Sequence, residues 1–192
     1  MKSCDFYKRL STKNESEEKF VSKYLTHFFS FEEEVKIFSS KINGEKEIKL
    51  KEFNFKMLHG ILPCNANLSK WKIKQSSECD LCLAPQTIEH LLFDCEHVKK
   101  IWNIVNRAFD IDVTFHYILG SCDPSHNEIL TLVSFLIYKE WLLSSLENKK
   151  RNTYLSLPIF KYEMELRLEI YSMCKSINPR HLTNIEHLLS FM

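Results

Sequence analysis

The sequence predicts an all-α, mainly helical single domain, with at most a short strand near 112–116. Three observations carry that expectation. Only three Gly and five Pro occur in 192 residues, too few for the many tight turns of a β-sandwich. Apolar residues recur at helical spacing in several windows. Fourteen Phe, seven Tyr and three Trp supply core material enough for one compact unit.

The elements follow in order. Residues 15–29 mix early acids with Phe20, Val21, Tyr24, Leu25 and Phe28, a helical stripe. Ser30 is suited to cap a helix over 31–40, with Glu32, Glu33 and Glu34 in its positive first turn. Asn43-Gly44 makes a turn. Helix resumes over 46–59, with Leu50, Phe53 and Met57 on one face and Lys49 and Lys56 on another, until Leu62-Pro63 stops it. A short helix over 65–71 carries Leu68 and Trp71. Val98, Ile101, Trp102, Val105 and Phe109 form the cleanest amphipathic pattern in the chain. Residues 112–126 are less decided: Val113-Thr114-Phe115 has the residue types for a short strand, and 120–124 those for a loop. Residues 127–147 are apolar on most sides and predict a central buried helix, which Lys149-Lys150-Arg151 ends favourably for its dipole. Two more helices, over 158–176 and 179–191, each open near a proline. In outline, 1–45 is an N-terminal helical segment, 46–110 a metal-binding region, and 111–192 a C-terminal helical region packing on it.

Cys79-x2-Cys82-x7-His90-x4-Cys95 is the one spacing that chemistry demands and packing does not. Tetrahedral Zn²⁺ takes four N or S ligands, and a Cys-x2-Cys turn offers two sulfurs to one ion. Four protein ligands leave no open position, so the site reads as one structural Zn²⁺ and not a catalytic one. Thr87 is suited to cap a helix from Ile88. On an α-helix Cys95 lies about 140° round the axis from His90, so a break is expected at 94–96. Cys64 and His97 are alternative ligands that suit packing or the surface better.

Charge is unevenly placed. Between 49 and 74, lysines 49, 51, 56, 70, 72 and 74 face Glu52 alone, a net of +5. Between 78 and 96 there are five acids and no Lys or Arg. Phosphate would therefore meet the segment before the metal loop, not the loop itself. Those lysines equally suit an ordinary solvated helix face. No apolar leader opens the chain and its most apolar run, 129–138, is too short to span a bilayer. An intracellular protein, cytoplasmic or nuclear, not secreted and not membrane-bound, is expected.

The run Leu50 to Pro63, with its Leu58-His59-Gly60-Ile61-Leu62-Pro63, leads to Asn65-x2-Leu68 and Ser77-x-Cys79-x2-Cys82. Thr87-Ile88-Glu89-His90-Leu91-Leu92-Phe93-Asp94-Cys95 and Ile101-Trp102 follow. Together these resemble the zinc-binding region downstream of the reverse transcriptase in LINE-type (non-LTR) retrotransposons, over about 46–105. Two positions depart from that pattern: Gln86 stands where Glu is usual, and Cys64 where Thr or a basic residue is common.

The resemblance implies a zinc-stabilised, nucleic-acid-associated domain, and a reverse transcriptase domain normally N-terminal to this segment. Lys49, Lys51, Lys56, Lys70, Trp71, Lys72 and Lys74 would lie against template RNA or target DNA. No Tyr-x-Asp-Asp polymerase signature and no nuclease pattern occur, so no enzymatic activity is expected. His59, Cys122 and Cys174 have no catalytic company. The alternative is a zinc-stabilised helical protein-interaction or structural module, or a transposon-derived remnant, with no nucleic-acid role. There, apolar helix faces such as 98–109 or 159–174 would meet partner helices.

Overall fold

The computed structural model describes residues 22, 24–43, 45, 47–121, 123–146, 156–174 and 178–192. Among them are seven α-helices: α1 (Phe31–Phe38), α2 (Ile48–Leu58), α3 (Asn65–Lys70), α4 (Glu96–Phe109), α5 (Pro124–Leu146), α6 (Leu157–Ser172) and α7 (Pro179–Leu189). A 3₁₀ turn spans Leu25–His27, and π turns span Ser39–Asn43, His90–Asp94 and Tyr117–Ser121. No strand forms among the described residues, and one antiparallel bridge joins Glu78 to Pro85.

The expected strand at 113–115 is the clearest correction. Val113 and Phe115 are buried, but no strand among the described residues pairs with them. Val113 N–H donates to Asn106 Oδ1 instead. Thr114 then caps the next turn, its carbonyl and hydroxyl taking the N–H groups of Ile118 and Tyr117. A triplet of β-branched and aromatic residues is strand-like only when a sheet is there to receive it.

The core is built on α5. Ile129, Leu130, Leu132, Val133, Leu136, Ile137 and Trp141 leave almost no face of it wet, and a helix apolar all round must be buried. It contacts α2, α6, α7 and the π turns at 90–94 and 117–121. Within this core Thr131 accepts a hydrogen bond from the buried Lys41 ammonium at 2.7 Å. No helix among the described residues is long and apolar enough to cross a membrane.

The other elements follow local chemistry. Ser30 and Glu33 form the capping box of α1. Of the helix expected over 15–29, residues 15–21 lie outside the described residues and Leu25–His27 is a single 3₁₀ turn. Gly44 and Lys149 to Arg151 also lie outside them. Prolines open α6 and α7 within their first turns, as expected. At the start of α2, Glu47 accepts from both Arg167 and Tyr171 of α6. Burial pushes the Glu47 carboxyl up, but those two donors and the guanidinium charge hold it below its ordinary value.

Helix α2 ends earlier than Leu62-Pro63. Ile61 N–H returns to the Lys56 carbonyl and Gly60 N–H to that of Met57, a Schellman closure with Gly60 left-handed at φ 67°. A Cβ on Gly60 would sit 2.8 Å from Tyr24 Cγ. Gly60→Ala should therefore cost about 2 kcal/mol, from the left-handed backbone and the displaced ring. A lower urea midpoint at unchanged m-value is the readout, and an unchanged midpoint would refute it.

Candidate metal centre

The metal centre starts from a miniature hairpin. Gln86 N–H donates to the Ser77 carbonyl at 2.8 Å and Cys79 N–H to that of Ala84 at 2.7 Å. Between them Leu83 N–H reaches the Cys79 carbonyl at 3.0 Å, and Leu83 itself is left-handed at φ 63°. This turn swings the sulfurs of Cys79 and Cys82 to the same side.

The second half is a helical turn of unusual width. Thr87 caps it as expected, its hydroxyl accepting the His90 N–H at 3.1 Å. Cys95 N–H then bonds the His90 carbonyl at 3.0 Å, five residues back. That i→i−5 closure is a π turn. It brings Cys95 under His90, where an α-helix would have carried it round the axis. Cys95 is extended (φ −61°, ψ 131°) and caps α4, so the chain breaks where the ligand spacing required.

The four ligand atoms of Cys79, Cys82, His90 and Cys95 lie within 4.8 Å of one another. Cys82 Sγ and His90 Nε2 are 3.2 Å apart. Zn–S bonds of about 2.3 Å in a tetrahedron separate sulfurs by about 3.8 Å, so the donor set and its span fit zinc. Cys79 and Cys95 are each 2 % exposed.

The electrostatics favour a cation. Cys79 is pushed down to about 4, first by a hydrogen bond from Cys95, then by the backbone N–H groups of Leu81 and Cys82, against the opposing effect of burial. Cys95 is driven up by the same bond to Cys79 and by burial. A dication at the site would displace the protons that these thiols hold.

The other residues singled out from sequence are dispersed. Cys64 is buried at the start of α3 and His97 lies in the first turn of α4, and neither belongs to the ligand cluster. His59 packs against Phe38 and Phe55, and burial holds its pKa down. Lys49 is exposed and Lys51 half-buried on α2, where Lys56 pairs with Glu52 at 2.7 Å. Lys70, Trp71 and Lys72 stand exposed together at the end of α3. Lys74 is drawn inward, bonding Asn65 at 2.8 Å and Asp80 at 3.2 Å.

Two residues acquire importance that spacing did not signal. Asn65, fully buried, donates to the Glu78 carbonyl at 2.6 Å and to Asp80. Gln86 joins α3 to Cys79. Both positions belong to the motif that the sequence resembles, but neither spacing nor residue type told that their side chains would be buried against the hairpin.

Residues 20–102 match the family model described as zinc-binding in reverse transcriptase. No curated protein and no solved structure matches the chain. The matched stretch begins before the 3₁₀ turn, includes all four ligands and closes on Trp102, whose indole N–H donates to the Leu92 carbonyl of the π turn at 2.7 Å. Residues 20–102 are therefore similar to the zinc-binding domains of reverse transcriptases.

Proposed function

We propose that residues 20–102 hold one structural zinc ion and serve a non-catalytic, nucleic-acid-associated role, positioning template RNA or target DNA for a LINE-type reverse transcriptase domain. The observation that carries this reading is the placing of Lys70, Trp71 and Lys72. They are exposed at one end of α3, and the other end of α3 is fastened to the metal hairpin. Two cations and an indole suit a phosphate backbone and one stacked base. Lys49 and Lys51 supply further positive charge on α2, while Lys56 and Lys74 are engaged with acids. Such a protein works in the cytoplasm or the nucleus.

Fluorescence anisotropy with short RNA and DNA probes, over a range of salt, tests the proposal. Lys70→Glu/Lys72→Glu should weaken binding at least about tenfold at low salt. It should also flatten the logarithmic salt dependence by about two for duplex DNA, the signature of two lost phosphate contacts. Unchanged affinity for both probes would remove the nucleic-acid role.

A second reading, a protein-interaction module, is favoured by the outer face of α6. Ile159, Tyr162, Leu166, Ile170 and Met173 follow helical spacing and all are exposed. The face of α4 that the sequence also offered to a partner is spent internally, with Val98, Ile101, Trp102 and Val105 buried.

A further inference from the structure

Gln86 is 1 % exposed although its side chain ends in a polar amide. Its Oε1 accepts the Asn65 N–H at 3.1 Å, and that donor fixes which end of the amide is oxygen. Nε2 consequently points at Cys79 Sγ, 3.6 Å away. The backbone carbonyl of the same residue takes the Ala66 N–H at 3.1 Å. The first two N–H groups of α3, which have no partner within their helix, thus end on the residue that touches a metal sulfur.

We propose that Gln86 is a positioning residue of the zinc centre. Its side-chain amide strengthens metal binding by donating to the Cys79 thiolate, and it ties the occupied site to the start of α3. Three thiolates and one dication leave a net charge of −1 at the site. Every N–H aimed at a sulfur offsets that charge and lowers the free energy of the metal-bound state. Leu81, Cys82 and His97 supply such groups from the backbone. Gln86 adds one from a side chain. The assignment rests on zinc occupying the four ligands and is independent of any nucleic-acid role.

Gln86→Glu separates the two jobs of the amide, because a carboxylate still accepts the Asn65 N–H but cannot donate to sulfur. Chelator competition with the full chain should show zinc affinity reduced at least about tenfold. In the cobalt-substituted protein the sulfur-to-metal charge-transfer band should move to longer wavelength, since a thiolate relieved of its N–H gives up charge more easily. Equal zinc affinity and an unmoved band would overturn the assignment.

The wild-type chain gives an independent check should the variant not fold. With zinc bound, the Gln86 side-chain amide protons should exchange slowly with solvent, and exchange at the rate of free glutamine would equally overturn it. A wild type that takes up no zinc would instead refute the metal centre itself.

Discussion

Chelating the metal from the wild-type chain at neutral pH should unfold the hairpin from Ser77 to Gln86, free it from the turn that carries His90, and lower the thermal midpoint of the domain. This is the largest single effect expected. The hairpin has little apolar burial of its own: Leu83 is 72 % exposed and Pro85 lies on the surface. Its ordered state depends on the bridge at Glu78–Pro85, a handful of backbone bonds, the Asn65 and Gln86 side chains that tie it to α3, and the ion. Zinc-finger peptides draw roughly 10–16 kcal/mol of apparent folding free energy from the metal, several times what these few bonds provide.

Cys79→Ser and His90→Ala should each reduce zinc content and reproduce the melting. Acid should act in the same direction, because the thiolates that bind zinc compete with protons and affinity falls as pH falls. Metal analysis of the purified protein, paired with circular dichroism before and after chelation, reads both. A zinc-free wild type that stays fully folded would contradict the structural role.

Trp102→Ala should destabilise the protein by about 3–5 kcal/mol, the range for emptying a large buried aromatic site. Trp102 is 2 % exposed in the first half of α4, among Val98, Ile101 and Val105. Its indole also satisfies the Leu92 carbonyl, so it fixes α4 against the turn that carries His90. Trp102→Phe keeps most of the volume and loses that bond, and should cost about 1–2 kcal/mol. Denaturant unfolding of the zinc-loaded variants measures both. If the two substitutions cost the same, the indole hydrogen bond lost in both accounts for the whole effect and the packing contribution is refuted.

Legibility in the sequence followed the range of the interactions responsible. The ligand set was readable because metal coordination imposes residue types and spacing within seventeen positions, whatever the rest of the chain does. The buried α5 was readable because its apolar residues occupy every face. The stop of α2 was misplaced, since Gly60 depends on a left-handed backbone and on the Tyr24 ring against it. The short strand that the sequence allowed at 113–115 does not form, because its β-branched and aromatic residues suit a sheet that no other described segment completes.

The amino-acid sequence by itself determined the helical class, the four candidate metal ligands and the need for a chain break beside Cys95. Tertiary structure decided how that break is made. A five-residue π closure sets Cys95 beside His90, and α4, held by Trp102, continues from it. It also sorted the lysines, leaving Lys70 and Lys72 to solvent while Asp80 and Asn65 claimed Lys74. A charge run in sequence says only how many cations exist. Which of them are free depends on the acids and amides that folding brings within about 3 Å, and those partners come from elsewhere in the chain.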